Sequence, residues 1–320
     1  MRIFTYLGTR ALLALCTLVG VALLIFIAIR LVPGGFADIV LGPFVTPEAR
    51  EVLTVRFGLD EPVWVQFFKW FFALLEGDLG HSLVTQQPVM SELLRRLPVT
   101  AELAFLSLVF ALSIGLSLGV VSAAAAAQGG GRAGRLVGAL GASVPDFVLG
   151  SIFIFVFSVW SLGLPAGGYV AFSEDPIGNI MGMILPSVTL GVFGMALILR
   201  TTRDAVLTVL TEGHITAAVA RGDSPGEILR HHVLRNASIL VLTVSATYFG
   251  YLLGGAVIVE VLFSVPGVGF YIYSGLLNRD YAVVQGGVLF VAALFVLLNM
   301  VVDLAYVLID PRIGAARAQR

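Results

Sequence analysis

HITAAVARGDSPGEILRHHVLRNASIL, residues 214–240, sets helical turns of alanine, arginine and histidine inside an otherwise oily chain and breaks them at Gly222 and Pro225. Upstream, Val206, Leu207 and Leu210, then Ile215 and Val219, form a thin apolar face on a first helix. Gly222 can take the left-handed conformation that ends such a helix. Asp223 or Ser224 then caps a second helix, with Pro225 in its first turn and Glu227 close behind. That helix, 225–236, turns Ile228, Leu229, Val233 and Leu234 inward. The pattern predicts a helix–turn–helix elbow with small Ala217, Ala218 and Ala220 at its tip, and Arg221, Arg230 and Arg235 beside it.

What surrounds the elbow decides the solvent. The chain has 320 residues, 58% hydrophobic and 12% charged, against about 25% charged in soluble domains; its mean hydropathy is +0.99. So much apolar surface cannot be hidden in one core, so the expected fold is an all-α integral membrane protein. Six apolar spans are predicted, at 11–32, 99–123, 136–164, 184–199, 239–259 and 283–309. The first would run about 33 Å as a helix, enough for a hydrocarbon core of about 30 Å. Its apolar run is too long for a signal peptide, and it is read as a retained anchor.

The arginines set the orientation. With the N-terminus inside, Arg2, Arg10, Arg132, Arg135, Arg200, Arg203, Arg221, Arg230, Arg235, Arg312, Arg317 and Arg320 all fall on inner segments, leaving the outer loops 33–98 and 165–183 acid-rich. The positive-inside rule then puts both termini and residues 200–237 in the cytoplasm. In the first outer loop, Thr46-Pro47-Glu48 reads as a helix start. The run WVQFFKWFF, 64–72, reads as an aromatic helix lying in the outer interface.

Missing chemistry narrows the function. The single lysine, Lys69, follows no G-x-x-x-x-G-K run, so the chain offers no P-loop, and any ATP must be bound by another polypeptide. Gly115-Leu116-Ser117-Leu118-Gly119 matches the G-x-S-x-G of hydrolases, which need it on a strand-to-helix turn. Here it lies mid-span, where Gly115-x-x-x-Gly119 reads as a close-packing surface. His214, His231 and His232 share the elbow, but adjacent helical residues point about 100° apart, and no second ligand motif accompanies them; they are read as solvated or packing histidines. The lone Cys16 allows no disulfide within the chain. Among intramembrane ionisable groups, Asp146 has two readings. A helix begun at 136 carries it about 15 Å in, near mid-membrane, whereas Ser143-Val144-Pro145-Asp146 also reads as a helix start at the inner boundary.

TAAVARG (216–222), nine further residues and HVLRN (232–236) resemble the cytoplasmic EAA loop of ATP-binding-cassette importer permeases, with Ala217, Ala218 and Gly222 matching and Thr216 in place of the leading glutamate. RLVPGG (30–35), GDLGHS (77–82), SVPDFVLG (143–150), GGAVIVEVLFSVPGVG (254–269), RDYAVVQG (279–286) and VDLAYVLIDPRI (302–313) are similar, in order, to segments of the dipeptide/oligopeptide/nickel group, although Gly35 stands where that group has an acid. The resemblance covers residues 2–313. It implies a type I importer permease fold in the bacterial inner membrane, divided into an anchor and outer loop (1–98), a five-helix core with the coupling loop 200–237 (99–313) and a tail (314–320).

Further implications concern partners. The resemblance implies a coupling site at Thr216, Ala217, Ala218, Arg221, Gly222, Asp223 and Ser224 seated on a cytosolic ATPase, and a translocation pathway for which Asp146 is the candidate lining residue. The partners implied are a second, homologous permease, two ATPases carrying ATP and Mg, an extracytoplasmic solute-binding protein and membrane lipid; no cofactor, metal, catalytic residue or nucleic acid is assigned to this chain. Cargoes in that group are peptides, nickel chelates, opines and related solutes. A secondary transporter would show paired intramembrane charges or matching broken helices in two halves, which the sequence lacks. A non-transporting structural subunit would not need the elbow.

Overall fold

The computed structural model describes residues 2–31, 51, 60–160 and 162–309. The Pro33-Gly34-Gly35 break, the Thr46-Pro47-Glu48 helix start and the tail 314–320 lie outside these residues. The described chain is almost wholly helical. α1 is Arg2–Arg30, α2 Val63–Leu75, α3 Val89–Ala127, α4 Arg132–Ser143, α5 Asp146–Trp160, α6 Pro176–Leu210 and α7 Gly213–Ala220. Then come one turn at Pro225–Glu227 (α8), a π-helical segment at Ile228–Val233, α9 (Leu234–Gly255), α10 (Val257–Leu262), α11 (Val268–Leu277) and α12 (Tyr281–Ile309).

Four single helices are long and apolar enough to cross a membrane: Gly8–Arg30, Val89–Ala127, Pro176–Leu210 and Tyr281–Val302. Two bent pairs, Arg132–Ser143 with Asp146–Trp160 (93°) and Ile228–Ser238 with Leu240–Gly254 (43°), complete six spans when each pair counts as one. The sharper bend has a local cause. Pro145 lacks an N–H and pushes its predecessor out of the helical region, and Val144 is extended at φ −86°, ψ 118°. The third predicted span is therefore a broken one, with a helix that begins at Asp146.

By compactness the chain forms two units, 99–266 and the remainder, 1–98 with 267–320. The sequence division instead kept residues 267–313 with the five-helix core. In the first unit α4, α5 and α9 pack on α6, two thirds of whose apolar window is buried. Lipid is as apolar as leucine, so helices associate there through close contact of small residues rather than through hydrophobic expulsion. A Cβ on Gly115 would lie 2.9 Å from the Met195 carbonyl, and one on Gly119 would lie 2.6 Å from Thr202 Cβ. These glycines let α3 approach α6, so the G-x-S-x-G run is a packing surface. Gly138 and Gly141 of α4 meet Leu199 and Ala196 in the same way, and Gly194 of α6 receives the ring of Tyr248 from α9.

In the second unit α1 packs on α12. Phe26 of α1 is buried against Phe67 (5.1 Å between centroids) and Trp70 (5.6 Å) of α2. Trp64, Phe68 and Phe72, spaced by four, form the opposite, exposed stripe of α2. Buried Asp280, just before α12, accepts from Ser82 Oγ at 2.6 Å and from the Leu83 N–H at 2.9 Å, which ties the GDLGHS loop to the RDYAVVQG segment.

Candidate coupling and pathway sites

The elbow begins where α6 stops at Leu210 and α7 restarts at Gly213. This break resets the helical phase. Ile215 and Ala218, three apart, face inward at 5% and 0% exposure, while Val219 is 60% exposed. Helical spacing carried unbroken from Val206 would turn Val219 inward; the break at 211–212 turns it out. Ala218, read as part of the exposed tip, is instead core; Thr216, Ala217 and Ala220 are exposed. Val219 is thus a member of the outward face that the sequence reading missed, and the interruption at Glu212-Gly213 was the signal for it.

Gly222 closes α7. Its φ is +87°, and its N–H donates to the Val219 carbonyl at 3.0 Å while the Asp223 N–H donates to the Ala218 carbonyl at 3.2 Å. This nested pair is the Schellman arrangement, which satisfies carbonyls otherwise stranded at a helix end. A Cβ at Gly222 would meet nothing within 4 Å, so glycine is there for its backbone conformation and not for space. Of the two caps left open by the sequence, the next helix uses Ser224. Glu227 Oε2 accepts from the Ser224 N–H (2.9 Å) and hydroxyl (2.7 Å), and the Glu227 N–H lies 3.4 Å from Ser224 Oγ. The sequence Ser-Pro-Gly-Glu is a capping box. The Ser224 donors hold the Glu227 carboxyl below its ordinary value. Asp223 Oδ2 accepts from the exposed Arg221 guanidinium at 3.1 Å and lies 3.7 Å from His232 Nε2.

Beyond the cap the π-helical segment shifts the register. Ile228 and Val233, five apart, are both buried, and Ala237 follows four later. Leu234, expected inward by ordinary helical spacing, is therefore displaced to the surface (36% exposed). Inserted π turns do this because each residue bonds five positions back rather than four. The inward residues of the elbow form one cluster with Ala123 at the end of α3, Ala205, Val206 and Val209 of α6, and Ala237 of α9. The corner is thereby mounted on three spanning helices at once. The histidines gather no metal set: His214 pairs with Glu212 at 3.1 Å and lies 6.1 Å, ring to ring, from His232. No group of three metal-ligating side chains occurs among the described residues.

Asp146 is the first residue of α5 and is half-buried. Contacts fix its level along α6: Gly141, just before it, meets Ala196 and the Val192 carbonyl, and Gly150, just after it, meets Thr189. That level is about 10 Å along the helix from Arg200, and Asp146 opens α5 as the helix-start reading expects. On α9, the Tyr248 hydroxyl donates to the Leu190 carbonyl of α6 at 2.7 Å. Tyr248 in turn packs with Phe193 (6.3 Å) and Tyr251 (6.2 Å), of which Phe193 and Tyr251 are exposed. No local motif announces this aromatic group, because its members come from α6 and α9, far apart in the chain. Among the other acids, Glu260 is wholly buried and accepts from Thr100 Oγ1 at 2.7 Å, and Glu102 accepts from the Tyr169 hydroxyl at 3.2 Å.

Residues 115–315 match the family model described as the binding-protein-dependent transport system inner membrane component, and residues 3–104 match its N-terminal counterpart. The chain is 38% identical to a probable peptide ABC transporter permease protein of Sinorhizobium fredii, over 96% of this chain and 98% of that one. It is 38% identical to a dipeptide transport system permease protein of Alkalihalophilus pseudofirmus over 96% and 98% of the two chains, and 35% identical to that of Escherichia coli over 94% and 96%. An embedded helical chain with no nucleotide motif, matched along nearly its whole length, belongs to the family of inner-membrane permease components of binding-protein-dependent ABC importers.

Proposed function

We propose that this chain moves peptides or chemically related small solutes, such as nickel chelates or opines, and that its elbow is the coupling helix seated on a cytosolic ATPase. The observation that carries this is the doubly capped corner at Gly222, packed on the ends of α3, α6 and α9. A corner held by a Schellman turn on one side and a capping box on the other transmits displacement instead of absorbing it. A lever works by differing in contact energy between two states of the machine, and the three helices it is mounted on are the ones it would tilt. The docking face comprises Thr216, Ala217, Val219, Ala220, Arg221 and Asp223, with Ala218, Gly222 and Ser224 shaping it from within. Exposed Val219 between small residues gives that face an apolar centre for a water-side protein partner to cover.

Both termini and the elbow then face the cytosol. The second permease is a homologous but different chain, two ATPases bind the ATP and Mg, and a binding protein delivers solute from outside. Asp146, half-buried at the start of α5, lines the pathway; ionisable groups within spanning segments favour a water-filled route over lipid. Similarity to peptide permeases over nearly full length supports the cargo class. The test is co-expression with a second permease and ATPase chains of the same importer family. The purified complex should hydrolyse ATP faster when a peptide-loaded binding protein is added to proteoliposomes and should accumulate labelled peptide. Isolation without any ATPase, or uptake unaffected by ATP, would overturn the reading.

A further inference from the structure

The elbow-side ends of α4 and α6 enclose a cleft of about 240 Å³, lined by Gly134, Arg135, Gly138, Leu199, Arg200, Arg203 and Asp204. This is smaller than the roughly 300–1,000 Å³ of sites that enclose whole small molecules. Three arginines against one aspartate leave it two positive charges. Arg203 spends one nitrogen on Asp204, at 2.9 Å, while its Nε is buried and has no hydrogen-bond partner among the described residues. An unpaired buried guanidinium donor is costly, and such groups ordinarily find an acceptor. Gly134 and Gly138 line the cleft from α4; a Cβ on Gly134 would run into Ser122 of α3, so its absence lets α4 press against α3 beside the cleft. Leu136 and Leu140 of α4 are exposed at 63% and 65%, and helical spacing puts them on the face of α4 turned away from Gly134 and Gly138, so α4 presents apolar surface to lipid beside the cleft.

We propose that this cleft binds a phosphate group, that of an anionic phospholipid in the leaflet the elbow faces. Arginine forks match phosphate oxygens in pairs, and basic pockets between spanning helices on the cytoplasmic side are where anionic headgroups are held. The lipid would brace α4 against α6 one helical turn or two from the elbow's mount, at Ala205, Val206 and Val209. This site stands apart from the cargo and coupling readings and survives if either fails.

The test uses the assembled importer in detergent and native mass spectrometry after titration with cardiolipin or phosphatidylglycerol, with phosphatidylcholine as the neutral control. Arg135→Gln with Arg200→Gln should weaken anionic-lipid retention about thirtyfold, from about fivefold per arginine contact. Arg132→Gln, on the same helix but outside the cleft, should leave retention unchanged and so separates the cleft from general surface charge. A monodisperse complex with unaltered subunit composition shows that the double variant is folded. A parallel thermal-shift arm with inorganic phosphate at constant ionic strength distinguishes the source: no shift with phosphate alone supports the lipid, and an equal shift with no lipid retained overturns it in favour of a free anion. Equal lipid retention by wild type and double variant, or protection of Arg135 and Arg200 only by the ATPase subunits, overturns the proposal outright.

Discussion

Gly222 is the residue whose replacement separates conformation from bulk. Its φ of +87° lies where side-chain-bearing residues are strained, yet a Cβ there would touch nothing within 4 Å. Within this chain, any loss in a Gly222 variant is therefore a backbone cost. For an ordinary L-residue that cost is about 1–2 kcal/mol, rising toward about 3 kcal/mol for β-branched valine. If the elbow must hold this turn to engage its ATPase, 2–3 kcal/mol reduces the fraction of correctly formed elbows by roughly 30- to 150-fold relative to the alternatives. Asparagine visits the left-handed region more readily and should lose far less. The assay is ATP-driven uptake of labelled peptide into proteoliposomes, with insertion and subunit assembly measured separately. The expected ranking is glycine, then asparagine, then alanine, then valine, with insertion unchanged throughout. Valine supporting uptake at the wild-type rate would refute the reasoning, and so would asparagine and valine failing equally.

Three further expectations follow from the same geometry. Ala218 is wholly buried and Ala217 exposed, so Ala218→Leu should overpack the cluster by about 1–3 kcal/mol and lower the melting temperature of the purified complex. Ala217→Leu should leave that temperature unchanged and reduce peptide-stimulated ATPase activity. Glu227 is held low by Ser224; a carboxyl with a depressed folded pKa contributes above its unfolded value near 4.3 and loses that contribution as pH falls through the folded pKa. Hydrogen exchange at 225–233 should therefore be constant from pH 8 to 5 after correction for intrinsic rates and rise below about pH 4.5, a rise that Glu227→Gln abolishes. Asp146→Asn should insert normally but alter uptake and preference among peptides of different charge; unchanged preference in a competition assay removes Asp146 from the pathway.

The legible parts of this molecule were those where one residue type answers one local demand. Gly222 before a Ser-Pro-Gly-Glu box fixes a turn whatever surrounds it, and Pro145 breaks its helix on backbone grounds alone. Gly115 and Gly119 could be read as a packing face from the absence of any strand around them. Phase was harder. One interruption at Glu212-Gly213 moved Val219 outward and Ala218 inward, and one π turn moved Leu234 to the surface, because inward and outward positions are inferred by counting and a single extra or missing residue turns the count through about 100°. Groups assembled from distant segments left no trace in the sequence: the cluster of Phe193, Tyr248 and Tyr251 and the arginine-lined cleft between α4 and α6 exist because α6 is the common packing partner of the helices around it.

A lever gripped from the water side must be touched by what grips it. A single cysteine at Ala217, in a background where Cys16 is replaced by serine, should cross-link to an ATPase subunit of the assembled importer, at a rate that changes between nucleotide-free and ATP-trapped states. Labelling of that cysteine only by reagents added outside the cell, or a cross-link pattern blind to nucleotide and confined to lipid, would contradict the account.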